Sequence, residues 1–401
     1  MTRPIYLDHN ATTPCDASVV AAMLPYFGEE FGNAASRTHA YGWRAGEAVE
    51  RAREQVARLV GADARELVFT SGATEANNLA LLGAARALRG DSGGKRDQVV
   101  SCRAEHRAVL DPCLALEREG FRVTLLGVDR DGLLDPEALR AAVDARTALV
   151  SIMHANNEIG VIQPIAALSA IAAEAGAVFH CDAAQSAGAL EVDAARLGVD
   201  LLSLSAHKLY GPKGIGALVV RRRAKRVRVE PILHGGGHER GLRSGTLPVP
   251  LCVGFGAAAE LARASRSADA ERHTRLRERL RERLEAQLPG LVVNGHATTR
   301  LPGNLNVSFL GVEGEALLAA LPELALSSGS ACTSAKPEPS HVLRALGADP
   351  ARALSALRFG IGRGNHEAQI DAAAELVIAQ VRRLRALSPV WDDLRRSDAR
   401  T

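Results

Sequence analysis

At 401 residues the chain is longer than a single hydrophobic core usually serves, so two domains are expected. Hydrophobic residues make up 47% and charged residues 24%, the balance of a folded rather than a disordered protein. The net charge of +3 gives no reason to expect a nucleic acid or another polyanion as partner.

Aromatic residues are only 3%, so the core must be built mainly from Ala, Leu and Val. The opening Met1-Thr2-Arg3-Pro4-Ile5 lacks the pattern of a signal peptide, and no apolar run is long enough for a bilayer. A cytoplasmic protein without membrane contact is expected. The cysteines, Cys15, Cys102, Cys113, Cys181, Cys252 and Cys332, show neither C-x-x-C pairing nor the crowding of a disulfide framework, which predicts reduced thiols.

In chain order, Tyr6 to Pro14 reads as an extended polar lead-in and Phe31 to Ser36 as a loop. Between Trp43 and Val60, Val49, Ala52, Val56 and Leu59 recur at helical spacing, and Gly61 closes that helix. Leu67 to Thr70 then reads as a strand, Ser71 to Glu75 as a small-residue turn, and Ala76 to Leu88 as a helix. Free N–H groups and a threonine hydroxyl at such a helix start are suited to phosphate, although the pattern is not the glycine fingerprint of a dinucleotide site. The alternation continues with strands at 98–101, 123–126, 148–153 and 177–181, and with helices at 106–119, 136–143 and 165–175. Repeated strand–helix units predict an α/β fold with a mostly parallel sheet, ligands lying at the carboxyl ends of its strands.

Leu201 to Ser205 is a short apolar run that ends in small residues, followed by Ala206-His207-Lys208, a Gly/Pro loop and a second run from Ala217 to Val220. Strand, loop, strand is the reading, with Lys208 at the turn. Arg221 to Arg228 is basic and without interleaved aromatics, which suits a solvated strand edge better than a nucleic-acid patch. The pair His234 and His238 has three glycines between and no third ligand, so no metal is expected there; Gly235 to Thr246 suits an anion instead. Pro250 to Gln287 reads as helical, with a break expected near Ser265 to Ser267. A second domain would then hold strands at 305–310 and 354–359, a helix at 314–321 and a closing helix at 367–387. The expected division is 15–260 for a large cofactor-binding domain, and 1–14 with 261–401 for a smaller α+β one.

Residues at predicted strand ends then assemble into one chemistry. A lysine stripped of solvation becomes a nucleophile suited to holding an aldehyde cofactor, and Lys208 is so placed. For pyridoxal phosphate, Asp182 would keep the ring nitrogen protonated, and His106 would cover the ring and move protons. Ala73, Thr74, Ser205 and His207 would hold the phosphate, and Arg358 would clamp a substrate carboxylate. Ser327-Ser328-Gly329-Ser330-Ala331-Cys332-Thr333-Ser334-Ala335 has little side chain to pack, which predicts a flexible polar loop carrying a nucleophilic cysteine.

The stretches YLDHNATTP, FTSGATEANNLA, AEHRAVL, MHANNEIG, HCDAAQS, SLSAHKLYGPKGIGAL, HGGGHERGLRSGT, SSGSACTSA and LRFGIGR, in this order, resemble the cysteine desulfurases of the iron–sulfur-assembly and nitrogenase-maturation type. These are fold-type-I pyridoxal phosphate enzymes of the class V aminotransferase superfamily, and the resemblance runs from about Ile5 to about Asp393. It implies that L-cysteine is converted to L-alanine, with the sulfur held as a persulfide on Cys332. It implies a cofactor set of Ala73, Thr74, His106, Asn157, Asp182, Gln185, Ser205, Ala206, His207 and Lys208, with Thr246 reaching the cofactor of a neighbouring subunit in a homodimer. Asn157 and Arg358 would bind the substrate carboxylate, and Cys332, Lys208 and His106 would be catalytic. The implied partners are an iron–sulfur scaffold protein, whose cluster Cys332 would contact, and other sulfur acceptors, including those of tRNA and cofactor thiolation. The chain departs from the family at Ala34, often proline there, and in the short polar tail after Trp391. Two rival readings stay open: another pyridoxal phosphate reaction that does not use Cys332, and a non-enzymatic docking protein on the same fold.

Overall fold

The computed structural model describes residues 3–222, 227–328 and 339–398. Its strands are β1 (Ile5–Tyr6), β2 (Leu67–Thr70), β3 (Gln98–Cys102), β4 (Arg122–Leu126), β5 (Thr147–Ser151), β6 (Val178–Asp182), β7 (Leu201–Ser205), β8 (Gly216–Val220), β9 (Leu291–Val293), β10 (Asn304–Phe309), β11 (Leu324–Ala325), β12 (Ser327–Ser328) and β13 (Ala356–Gly360). Seven of them form one sheet in the order β2-β8-β7-β6-β5-β3-β4. Strands β4, β3, β5, β6 and β7 are parallel to one another, and β8 runs against both β7 and β2. The expected α/β architecture with a mostly parallel sheet is present.

Side chains alternate between the two faces of this sheet, and both faces are dry. Phe69, Val100, Val150, Phe179, Leu202 and Val219 point into one core. Their neighbours Val68, Val99, Leu149, Leu201 and Leu218 point into the other. A sheet covered on both sides needs continuous apolar runs, which is why these strands lack an in–out polar pattern.

A second assembly pairs β12, β13, β10 and β9 in an antiparallel sheet, while β1 pairs with β11 in parallel. Leu305, Val307, Phe309, Leu357 and Phe359 pack there against Leu280, Leu284 and the helix Glu367–Arg385. The helix Val249–Gln287 serves both assemblies. Cys252, Phe255, Ala259 and Ala262 enter the first core, and Leu276, Leu280 and Leu284 the second.

Two expectations are corrected, and two further segments take shape. The long helix has no break at Ser265 to Ser267, because the Ser265 hydroxyl is satisfied within the helix, by Leu261 O at 3.1 Å and Asp269 Oδ2 at 2.8 Å. The basic run follows no strand edge: β8 lies between β2 and β7, Arg221 pairs with buried Glu66, and residues 223–226 lie outside the described residues. The glycine-rich loop makes a left-handed bend at Glu239 and Arg240, anchored by the ion pair of Glu239 with Arg53. The polar tail folds as the helix Pro389–Asp398, whose Trp391 ring lies 3.7 Å from the Arg385 guanidinium. Among the described residues no helix is long and apolar enough to cross a membrane.

Candidate active site

Because β3, β5, β6 and β7 run in one direction, their carboxyl ends deliver side chains to one edge of the sheet. His106 follows β3, Asn157 follows β5, Asp182 ends β6, and Ser205 and Lys208 close β7. All of them line one cavity of about 600 Å³, together with Ala73, Thr74, Gln185, His207 and Arg358. Three of the predicted residues are not among those seen on this wall. Ala206 is buried behind Ser205, Thr246 is not on the wall of this cavity, and Cys332 lies outside the described residues.

The phosphate-sized end of the cavity is built on a close approach. Gly72, at φ 156°, turns β2 into the helical run that begins at Ala73, and Gly216 of β8 passes directly beneath. A Cβ on Gly216 would stand 2.6 Å from the Gly72 backbone, so any side chain there would push the turn outward. The first N–H groups of the helical run have no partners within it and face the cavity end. Ser205 Oγ is buried there without a hydrogen-bond partner. Glu75 stands in the same first turn; its carboxylate accepts the Ser71 N–H at 2.7 Å and two bonds from Arg243 at 2.9 and 3.3 Å. Burial works against its charge, but those donors prevail and hold the carboxyl below its ordinary value.

Lys208 Nζ donates to Asn10 O at 2.5 Å and to Ala11 O at 2.6 Å. Burial first, and then the Arg358 guanidinium, push its ammonium down to about 8, against the opposing pull of Asp8 and Asp182. The ammonium still predominates near physiological pH, but the neutral amine is a far larger minority than for an ordinary lysine. Asp182 accepts from Asn77 Nδ2 at 2.7 Å and from Ala184 N at 2.9 Å. Gln185 is set by Asn10: its Nε2 donates to Asn10 O at 2.9 Å, and its Oε1 accepts from Asn10 Nδ2 at 3.2 Å.

His106 caps the helix Arg107–Arg118, Nδ1 accepting the Ala108 N–H at 3.0 Å. Burial lowers its pKa, and the bond at Nδ1 leaves the ring proton on Nε2. Behind it, fully buried Glu105 is raised well above the ordinary carboxyl value by burial, and its Oε1 accepts the Met153 N–H at 2.7 Å.

Arg358 reaches the cavity from β13. It donates to Asp8 Oδ1 at 2.8 Å, Asn157 O at 3.0 Å and Ser327 Oγ at 3.1 Å, while its Nε is buried without a partner. Glu158, pushed up to about 7 by burial, accepts the Ser340 hydroxyl at 2.5 Å. Among the described residues no group of His, Cys, Asp and Glu is arranged to hold a metal ion.

The sequence reading did not single out Asn10, Asn77, Asp8, Glu75, Arg243 or Glu158. Each lies inside or beside a motif already noted, but its partner is far off in sequence. Asn77 and Asp182 are 105 residues apart, and Asp8 and Arg358 are 350 apart.

Residues 5–373 match the family model described as Aminotransferase class-V. The chain is 59% identical over 392 residues to the cysteine desulfurase IscS of Anaeromyxobacter sp. (strain Fw109-5), covering 98% of this chain and 96% of that one. Among solved structures it is similar to a NifS-like protein, with a TM-score of 0.87, 35% identity, and coverage of 94% of this chain and 99% of that one. It is also similar to SspA in complex with cysteine, with a TM-score of 0.78, 36% identity, and coverage of 89% and 99%.

Proposed function

The chain belongs to the class-V aminotransferase family, and on that footing we propose how it works: as a pyridoxal phosphate-dependent cysteine desulfurase. It takes sulfur from L-cysteine, releases L-alanine, and supplies the sulfur to iron–sulfur cluster assembly. The observation that carries the reading is the convergence of Lys208, Asp182, His106, Gln185, Ser205 and Arg358, from four separate stretches of the chain, on one cavity. The cavity suits the cofactor. The partnerless Ser205 Oγ and the free N–H groups from Ala73 onward answer a phosphate. A carboxylate held by Asn77 answers a pyridine nitrogen, and a partly neutral lysine answers an aldehyde.

When bound, pyridoxal phosphate supplies an electron-withdrawing ring that stabilises negative charge on the α-carbon of an amino acid joined to it. The chain's own residues do the rest. Ala73, Thr74, Ser205 and His207 hold the phosphate end, and Ala206 lends the backbone turn that aims its two neighbours. Asp182 and Gln185 orient the ring end. Lys208, as the free amine, takes the α-proton, and His106, on the other wall, moves a proton at Nε2. Arg358 and Asn157 bind the substrate carboxylate, with Asp8 giving up part of its hold on the guanidinium. The Cys332 thiolate attacks the substrate sulfur. A sulfur–sulfur bond forms as the carbon–sulfur bond breaks, its electron pair stays with the carbon skeleton that leaves as alanine, and Cys332 keeps a persulfide.

The other thiols support this assignment. Burial pushes Cys102, Cys113 and Cys252 up to about 12 and Cys181 well above its ordinary value, and Cys15 is raised too, so none of the five is a ready thiolate. The working unit is a homodimer in which Thr246 completes the neighbour's cofactor site, and it acts in the cytoplasm. Residues 15–260 serve as the cofactor domain; residues 1–14 and 261–401 carry the cysteine loop and the substrate arginine. A scaffold protein, and acceptors for tRNA and cofactor thiolation, receive the sulfur.

The test compares sulfide release from L-cysteine, in the presence of a thiol reductant, by the parent and by Cys332→Ala, with the visible cofactor band followed in both. A variant that keeps its band and its spectral response to cysteine but releases no sulfide bears out the assignment. Equal turnover by the two proteins would make Cys332 a bystander and favour another pyridoxal phosphate reaction.

A further inference from the structure

Behind Lys208, on the side away from the main cavity, lies a second cleft with about 70 Å³ of room for water. Lys208, Asn10 and Gln185 line both spaces and form the wall between them. Four buried polar atoms of residues lining the cleft lack any hydrogen-bond partner: His9 Nδ1, His273 Nε2, Asn304 Oδ1 and Arg363 Nη1. They come from four distant parts of the chain, and Asn304 is fully buried. Buried polar groups are almost always satisfied, by protein or by ordered water, and each orphan otherwise costs about 1–3 kcal/mol. A water needs roughly 10–15 Å³ on such a measure and two to four polar neighbours, and this cleft offers both several times over.

The backbone beside the cleft is strained. Tyr210, two residues after Lys208, has φ 65° in the left-handed region that non-glycine residues avoid. It is held there from the cleft side: its Oη accepts the Arg363 N–H at 2.7 Å, and the Arg363 guanidinium stacks 4.2 Å from its ring centroid. Arg363 is itself fixed by Asp269 Oδ2 and Ser265 Oγ, each at 2.7 Å. Those anchors leave Nη1 free of protein partners.

We propose that this cleft holds a cluster of ordered waters that solvates Lys208 from behind and exchanges protons with it. The proposal rests on the reading of Lys208 as the lysine that joins the cofactor. The rear cleft gives a proton taken up by Lys208 a second route besides the main cavity, by transfer from nitrogen to water and onward through water. His9 and His273 bound the cluster as neutral rings, each pushed down to about 4, chiefly by burial, so they bond the waters without adding charge. Arg266, Asp269 and Arg363 are the charged groups of the cleft besides Lys208, with Tyr210 beside them. On the front side Lys208 faces Asp8, Asp182, Arg358, His106 and His207.

Two measurements test this. A high-resolution crystal structure of the cofactor-loaded enzyme is expected to show waters bonded to His9 Nδ1, His273 Nε2 and Asn304 Oδ1; a dry cleft overturns the proposal with no variant needed. In the cofactor-free protein, the rate of pyridoxal phosphate uptake, read from the visible band, follows the neutral fraction of Lys208. His273→Phe fills the cleft without changing its charge, and is expected to lower the pH midpoint of that rate by about one unit, because an ammonium stripped of water is harder to keep. His273→Asn, which keeps a polar end, is expected to leave the midpoint within about 0.3 units. Coincident midpoints for parent and His273→Phe overturn the proton exchange even where waters are present. A Lys208→Ala protein that still develops the band would instead sink the reading of Lys208, and the proton exchange with it.

Discussion

Glu75 stands in the first turn of the helical run from Ala73, on the wall of the cavity end proposed for a phosphate. A carboxylate there repels a dianion, and its placement is workable only because Arg243 neutralises it with two hydrogen bonds. Arg243→Gln is therefore expected to weaken pyridoxal phosphate binding on the order of tenfold, about 1.4 kcal/mol. The double variant Glu75→Gln/Arg243→Gln should return to within about threefold of the parent, because the repulsion leaves with the charge. Titration of the cofactor-free proteins with pyridoxal phosphate reads this directly; a double variant as weak as the single one would mean that Arg243 acts by holding its loop rather than by charge. Of the proposed site residues, His106, Asn157, Asp182 and Lys208 could be singled out from the sequence because each sits at or just beyond the end of a recognisable strand. Their partners were not: the Asn10 carbonyl and the Asn77 side chain carry no local signal of the lysine and the aspartate they hold.

The glycine-rich loop shows the same division among elements. Its anchor is the pair Arg53–Glu239, two bonds of 2.7 Å between side chains that are 3% and 2% exposed, and Glu239 Oε2 also accepts the Phe69 N–H at 2.6 Å. The pair holds Glu239 and Arg240 at φ 49° and 58°, a left-handed bend that neither side chain favours. Removing one partner strands a buried charge, so Arg53→Met is expected to cost about 3–5 kcal/mol in denaturant unfolding of the cofactor-free protein. Arg53→Met/Glu239→Gln should recover part of that loss; a single-variant cost under about 1 kcal/mol would show that water reaches the pair. Composition suggested a loop for anions and gave no sign of the buried pair that ties down its bend. The serines near 265 did mislead: a hydroxyl predicts a break only where the helix itself cannot satisfy it.

For the whole molecule, buried histidines set the acid limit. Burial is the chief cause at each: His9, His154 and His273 are pushed down to about 4 and His180 to about 3, all from an ordinary 6.5. The unfolded chain protonates them below 6.5 while the folded one does not, so stability present at neutral pH is lost as pH falls toward 4. Glu158, pushed up to about 7, and Glu105, also raised, already bind protons in the folded state and oppose this in part. With His207 also lowered to about 4, chiefly by burial, the balance of these groups near pH 5 is an uptake of roughly three protons on unfolding, about 4 kcal/mol per pH unit. Denaturant titrations of the cofactor-free protein between pH 7 and 5 measure that slope, and His180→Gln should reduce it by about one proton; a flat profile would contradict the burial of these rings. The sequence by itself determined the parallel sheet, its dry faces and the order of the motifs, because apolar runs and strand-end residues are local patterns that any window of the chain displays. Only the tertiary structure decided that β8 runs against its neighbours, that one unbroken helix serves two cores, that Asp8 holds Arg358, and that a polar cleft lies behind Lys208. Those depend on which distant segments come to touch, and a contact between residues hundreds of positions apart leaves no periodicity in either.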